Sequence, residues 1–207
     1  MKRLGSRLLI LLIVGGLAAL AWWTYGEATR VVRYRPGVTA KVAPRQGPAA
    51  ITEPWTTGDY RLTATASFEM EGRLLSRSRY RFDRQSDLAP IDLMLGWEVM
   101  SDQVVIDEFS FSQRNRWGFW RSPSLPVTED EVNTHTANIH IIPATAAVRD
   151  RVLDLQRGQL IHLQGQLVNV TDLDDGWEWK TSTSRSDTGN GACEILWLTN
   201  VDVLSPP

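Results

Sequence analysis

The stretch QLIHLQGQLVNV, residues 159–170, decides the fold that this sequence predicts. Successive side chains of a strand point to opposite faces, and both faces of this stretch carry apolar residues, which predicts a largely buried strand. Gly165 in its middle indicates a bend or a bulge, a feature that curls a sheet. Asp174, Asp175 and Gly176 follow, and then WEWK alternates apolar and polar residues, so a β-hairpin is predicted here.

Strands also dominate the prediction for the rest of the chain. Alternation in residues 60–70 and 74–83 predicts two strands joined by a turn at Glu71–Gly72. Further elements follow in chain order: a strand over 91–97, a short helix capped by Ser101 and reaching Phe109, a hairpin within 109–121, a short helix begun by a Thr128/Glu131 capping box, a strand over 138–142, a helix over 144–156 with Gly158 as its cap, and a strand over 193–204.

This order of elements predicts an α+β domain that is mainly antiparallel β, with one principal helix. The helix stands just before the longest strand, and a bent strand and a hairpin come next. That pattern is similar to a small Greek-key barrel of the OB or SH3-like type, so a curled sheet or such a barrel is expected. A fold of this kind does not by itself imply a function.

The N-terminal residues predict a membrane anchor. Residues 1–7 are short and basic, and residues 8–25 are apolar and end in an aromatic group, as expected of a transmembrane helix with an interfacial belt. A cleaved signal peptide is the alternative, because Ala19 to Ala21 has the small-x-small pattern of a cleavage site. Residues 26–57 are rich in Pro and Gly and predict a linker or an extended segment, and residues 58–207 predict a single β-rich domain.

Basic residues flank both ends of the apolar segment, so the positive-inside rule hardly favours either orientation. The shortness of the tail at residues 1–7 favours a cytoplasmic N-terminus with the domain exported behind the helix. The prediction is therefore a single-pass protein of the bacterial inner membrane with a periplasmic or extracytoplasmic C-terminal domain.

The composition limits the possible functions. The net charge of −2 gives no argument for nucleic acid as a partner. The single cysteine rules out an internal disulfide and a zinc site of several cysteines. Nine Trp residues favour packing or binding without choosing between them. Neither a cofactor nor a metal is predicted.

The leading functional hypothesis is a non-catalytic, membrane-anchored envelope protein whose β-rich domain binds a protein or another envelope component. Arginine and aromatic residues supply most interface hot spots, and they cluster in the middle of this chain. The predicted binding residues are Trp97, Arg114, Arg116, Trp117 and Trp120.

An envelope hydrolase is the second hypothesis. Its candidate residues are Asp102, Asp187, His135, His140 and Cys193. A cleft in which a histidine meets an aspartate or the cysteine within hydrogen-bond distance would favour it.

The local motifs around these candidates are incomplete. Asp187-Thr188-Gly189 matches the aspartic-protease triplet, but the chain contains one copy, whereas that chemistry needs two. The run at residues 190–193, NGAC, is similar to a segment of L,D-transpeptidases but lacks the arginine expected after the cysteine. Asp172, Asp174 and Asp175 share one turn, yet the spacing of a calcium loop is incomplete.

A third hypothesis is an OB-like binder of nucleic acid or oligosaccharide. This function requires a basic groove with exposed aromatic residues. The strand that carries Arg77, Arg79 and Arg81 would have to lie beside that groove.

Three segments resemble segments of uncharacterised single-span bacterial envelope proteins: DLMLGWEVMSD at residues 92–102, RNRWGFWR at 114–121 and SRSDTGNGACEILW at 184–197. The resemblance covers residues 92–197. It implies an envelope location and brings no known activity.

Overall fold

A mixed, mostly antiparallel sheet curls into a ring of five strands in the computed structural model of this chain, and 45% of the domain is strand. The structure describes Gly16, residues 31–184 and residues 193–205. The helices are few and short, so the predicted α+β class with a curled, mainly antiparallel sheet is confirmed.

The elements follow one another with short connections. The strands are β1 (Arg45–Gly47), β2 (Trp55–Thr57), β3 (Tyr60–Arg79), β4 (Ile91–Gly96), β5 (Ser110–Arg114), β6 (Trp117–Arg121), β7 (Thr136–Pro143), β8 (Leu160–Asp172), β9 (Glu178–Trp179) and β10 (Glu194–Leu204). The α-helices are α1 (Gln103–Asp107), α2 (Glu129–Thr134) and α3 (Ala146–Asp154), and a 3-10 turn covers Glu98–Ser101.

The ring consists of β3, β4, β7, β10 and β8, and β8 pairs again with β3 to close it. These are the first, second, third, fifth and fourth ring strands in chain order. The third and fifth strands, β7 and β10, are parallel, and the other pairs are antiparallel. Helix α3 lies in the connection between the third and fourth strands. Closure of the ring removes the exposed edges that an open sheet would leave.

Strand β3 is continuous, so the predicted turn at Glu71–Gly72 is wrong. Its N-terminal part pairs with β8 and its C-terminal part pairs with β4, and the two pairings overlap at Arg73. A register irregularity between Leu74 and Ser76 lies at this change of partner. A bulge bends a strand without ending it. The chain therefore turns from one neighbour to the other without a hairpin.

The predicted central strand is confirmed as β8, and both of its faces are buried. Ile161 and Leu163 lie in the main core, whereas Val168 and Val170 lie in a second apolar cluster on the other face. The predicted irregularity at Gly165 is found on the partner strand, where the register of β10 shifts directly opposite this glycine. A Cβ at Gly165 would lie 2.1 Å from the carbonyl oxygen of Trp197, so no larger residue fits.

The short helices show how local capping rules operate. The predicted capping box is confirmed: Thr128 accepts from the backbone N–H of Glu131 and starts α2. The helix expected after Ser101 starts one residue later, because the side chain of Asp102 accepts the N–H of Val104. Ser101 closes the preceding 3-10 turn instead.

The principal helix, α3, is confirmed within the predicted span and is capped by Thr145. Its C-terminal cap is Leu155, so Gly158 does not have the predicted role. Gly158 has a φ of +84° and donates its N–H to the carbonyl of Leu74. This glycine therefore joins the chain after α3 to the bend of β3.

Residues 31–57 lie against the ring over their whole described length. Thr39 and Ala40 donate their N–H groups to the hydroxyl oxygen of Ser101, and β1 and β2 pair with β3. The segment is therefore an extended part of the domain.

The described residues contain no helix that is both long and apolar enough to cross a membrane. The anchor expected at residues 8–25 lies outside the described residues, apart from Gly16.

The contact at Gly165 leads to a first prediction. Gly165→Ala should lower the free energy of unfolding by roughly 3 kcal/mol, because the added methyl group would collide with backbone atoms. Gly176→Ala is the control: its φ is +73° but no atom lies within 4 Å of an added Cβ, so a loss of only about 1 kcal/mol is expected. Urea denaturation measures both, and equal losses would contradict the argument.

Candidate functional site

A cleft of about 960 Å³ opens where several connections of the ring meet. Part of its lining comes from residues 79–83 and Gln85, at the end of the first ring strand and in the connection after it. Another part comes from residues 178–180 and Cys193, which lie in the connection between the fourth and fifth ring strands. His140 of the third ring strand and residues 115–117 of the β5–β6 hairpin complete the lining.

The β5–β6 hairpin, predicted from the turn-prone residues near Asn115, is confirmed and brings Arg116 to the cleft. Its two turn residues, Asn115 and Arg116, have φ values of 52° and 65°. Positive φ at both central positions suits the twist of a two-residue hairpin, although it is unfavourable for arginine. The Arg116 backbone is held by a hydrogen bond from its N–H to the Tyr80 hydroxyl and by one from the Asn138 amide to its carbonyl.

The guanidinium group of Arg116 is almost completely buried and joins three segments. It donates two hydrogen bonds to Asp83, at 2.7 and 3.0 Å, and one to Asp92, at 3.0 Å. It also donates to the carbonyl of Ala89, and it stacks over the Tyr80 ring with 4.2 Å to the centroid. Two-pronged pairing of this kind gives arginine strong and directional binding to a carboxylate.

Asp92 and His140 form the floor of the same network. Asp92 is 0% exposed, and its Oδ1 lies 2.9 Å from Nδ1 of His140. This is a close polar contact and not a hydrogen bond, because within the described part of the chain neither His140 Nδ1 nor Asp92 Oδ2 has a hydrogen-bond partner. The His140 ring packs against Trp179 at 4.7 Å between centroids. Burial and the nearby carboxylate of Asp92 raise the pKa of Tyr80, which keeps its phenol neutral.

Aromatic rings line the mouth of the cleft. Phe82 is 98% exposed and Trp117 is 38% exposed, while Trp179 is half-buried and lies 6.0 Å from Trp177. Exposed aromatic rings beside a concave surface are typical of ligand-binding sites.

The basic segment at the C-terminal end of β3 contributes only some of its arginines to the cleft lining. Arg77 and Arg79 both donate to the carbonyl of Leu153 in the last turn of α3, where cations stabilise a helix end. Arg79 and Arg81 line the cleft. The strand therefore lies beside the groove, as the OB-like hypothesis required, although much of its charge serves the fold.

The five predicted binding residues do not share one surface. Arg116 and Trp117 line the cleft, whereas Trp97 is 2% exposed and lies in the core. Trp120 packs edge-on against Phe109, and Arg114 lies over Phe119 on the exposed face of the hairpin. A binding role for these residues stays a prediction.

The hydrolase candidates are also separated. Asp102 caps α1, and His135 lies 3.0 Å from Glu98, away from the cleft lining. His140 and Cys193 both line the cleft, and the sulfur of Cys193 accepts from the Asn138 amide at 3.7 Å. Asp187 lies outside the described residues.

An arginine side chain binds the carboxylates of the acidic turn that was considered as a calcium site. Arg84 donates to both Asp172 and Asp175, and Asp172 also accepts the backbone N–H of Asp174. Within the described ranges no three acidic, histidine or cysteine side chains are grouped as metal ligands.

Sequence reasoning missed Asp92, Tyr80, Asp83 and Trp179 as site residues. Asp92 carried a usable signal, since it is an acid inside the apolar strand IDLMLGW, and a buried acid needs a partner. The others carried no such signal, because residues distant in sequence meet only after folding.

Comparison of the chain with protein-family models, with curated proteins and with solved structures found no match.

The Arg116 network leads to a second prediction. Arg116→Met should cost about 3–5 kcal/mol in the free energy of unfolding, because it leaves the buried Asp92 carboxylate uncompensated. Adding Asp92→Asn should recover much of this loss. Arg114→Met on the exposed face of the same hairpin is the control and should change stability little. Urea denaturation measures all three, and an unstable Arg114→Met with a stable Arg116→Met would refute the argument.

The acidic turn leads to a third prediction, on pH. Hydrogen bonds from Arg84 lower the pKa of Asp172 and of Asp175. Because the folded-state pKa values lie below the usual value, this stabilisation is present above about pH 4 and is lost as the pH falls through the lowered values. Arg84→Gln should therefore lower Tm at neutral pH, and the difference from wild type should shrink in strong acid. A difference that does not change with pH would contradict this assignment.

Proposed function

We propose that this chain is a membrane-anchored, non-catalytic envelope protein whose barrel is of the OB type and binds an oligosaccharide component of the envelope. The observation that carries the proposal is the position of the cleft, between the two connections that such barrels use for binding. The argument has three steps: the barrel type, the position of the cleft and its charge.

The order of the ring strands supports the barrel type. The strands neighbour one another as first, second, third, fifth and fourth, with the fourth back against the first. The third and fifth strands are parallel, and a helix precedes the fourth. The OB barrel has five strands in a Greek-key arrangement.

The position of the cleft supports a binding role. OB barrels bind oligonucleotides and oligosaccharides on the face of the second and third strands, between the first-to-second and fourth-to-fifth connections. Here the cleft is lined by residues 80–83 and Gln85 from the first of these connections and by residues 178–180 and Cys193 from the other. His140 of the third strand forms part of its floor, with Asp92 of the second strand beside it.

The charges favour a saccharide over a nucleic acid. A nucleic-acid groove needs a series of cations free to meet phosphates. In this cleft Arg116 is neutralised by Asp83 and Asp92, and Lys180 lies 3.0 Å from Glu178. Among the described residues the cleft then offers aromatic rings, amide groups and the exposed side chains of Arg81 and Lys180, which suit a polar chain without a regular charge repeat.

The location is part of the proposal. The apolar residues 8–25 would anchor the chain with its N-terminus in the cytoplasm, and the barrel would lie in the periplasm. An oligosaccharide of the envelope is the ligand class available on that side.

The proposal leads to a fourth prediction, tested by calorimetry on the full chain in non-ionic detergent. The probes are chitotetraose, maltotetraose and the methyl ester of tetragalacturonate, with a dodecamer of deoxythymidine as competitor. Wild type should bind at least one saccharide, and Trp117→Ala should weaken this binding about tenfold or more through loss of ring stacking. Phe119→Ala is the matched control, since Phe119 is exposed on the same strand but lies outside the cleft.

Three results would contradict the proposal. Salt-dependent binding of the deoxythymidine dodecamer without any saccharide would favour nucleic acid. Crosslinking of an exported protein at Trp117 without saccharide binding would favour a protein partner. Equal losses of saccharide affinity in Trp117→Ala and Phe119→Ala would show that the saccharide does not bind in the cleft.

A hydrolase is the second candidate, and one observation favours it. His140 meets Asp92 at 2.9 Å in a cleft that Cys193 also lines. A thiol attacks an ester when a nearby histidine accepts its proton. Release of nitrophenol from p-nitrophenyl acetate by wild type, lost in both Cys193→Ser and His140→Gln, would support this activity. A rate that the two substitutions leave unchanged would exclude it.

A further inference from the structure

We infer that the saccharide bound in the cleft carries an isolated acidic group, a carboxylate, which Arg81 and Lys180 recognise from the two connections that line the cleft. This inference rests on the proposed function and adds the chemical class of the ligand to it. The argument follows the cationic side chains of the cleft one by one.

Among the described residues, cationic side chains outnumber anionic ones in the lining. Four described cations line the cleft, Arg79, Arg81, Arg116 and Lys180, against two described anions, Asp83 and Glu178. Two of the four cations are used by the fold. The Arg116 guanidinium is hydrogen-bonded to Asp83 and Asp92. The Arg79 guanidinium donates to the carbonyl of Leu153.

Arg81 and Lys180 are the cations left for a ligand. Arg81 is exposed and forms no ion pair with the described residues. Lys180 pairs with Glu178, but the two side chains are 69% and 57% exposed. An ion pair in water at such exposure contributes little, so a ligand carboxylate can replace Glu178 at low cost.

The aromatic residues make an acidic saccharide a better fit than a free small acid. Phe82, next to Arg81, exposes nearly its whole ring, and Trp117 lines the same cleft. A sugar ring packed on these aromatic faces would exclude water from the Arg81 guanidinium. Removal of water strengthens the attraction between a guanidinium and a carboxylate. Two exposed cations, Arg81 and Lys180, suit one acidic group and not a polyanion.

The experiment compares each neutral probe with a form that carries one carboxylate, on the full chain in non-ionic detergent. Calorimetry measures the binding of chitotetraose and maltotetraose, and of the form of each in which C6 of one sugar is oxidised to a carboxylate. We expect each acid to bind about tenfold more tightly than its neutral partner. Arg81→Gln should remove most of this preference. Arg121→Gln is the matched control, because Arg121 is exposed on β6 and does not line the cleft.

The outcomes separate this inference from the function on which it rests. If neutral saccharides bind and the acids bind no better, the acidic group is excluded while the saccharide cleft stands. An acid preference that survives in Arg81→Gln and Lys180→Gln also overturns the inference. If no saccharide binds in either form, the proposed function fails as well.

Discussion

The cleft depends on one buried guanidinium group. Arg116 reaches from the tip of a hairpin and binds Asp83 in the connection after the first ring strand and Asp92 in the second ring strand. A charge removed from water must regain its hydrogen bonds inside the protein, or its burial costs several kcal/mol. These partners therefore fix the relative positions of three segments that are distant in sequence. The unfavourable positive φ of Arg116 is offset by the same contacts.

The closed ring of strands positions the segments that form the Arg116 network. The ring itself requires the backbones of neighbouring strands to approach closely. Strand β8 contacts both β3 and β10, and at Gly165 the Trp197 carbonyl comes so near that no side chain fits. Strand β3 changes partner at its bend and so belongs to both sides of the ring. A closed ring leaves its connections as the places where side chains converge. This is why the cleft is lined mostly by connections and by strand ends.

The groups that the cleft can offer to a ligand depend on which charged side chains already bind other parts of the protein. Arg79 stabilises the end of a helix and Arg116 is neutralised by carboxylates, so the surface offered to a ligand is mainly aromatic with a few cations near water. Such a surface favours stacking and selected polar contacts over a long run of phosphates. Because His140 and Asp92 are in close contact in the same cleft, a hydrolase is the alternative function.

The sequence by itself determined the features that depend on neighbours along the chain. Apolar runs placed β4, β7, β8 and β10, a capping box placed α2, and the turn-prone residues near Asn115 placed the hairpin of the cleft. The continuous β3 was missed, because a glycine that permits a turn also permits a bend in a long strand. Only the tertiary structure decided that Arg116 is buried, that Trp97 lies in the core, and that Asp92 meets Arg116 and His140. Alternation and caps are local rules, whereas a site forms from the register between strands and from the paths of connections, which a linear pattern does not contain.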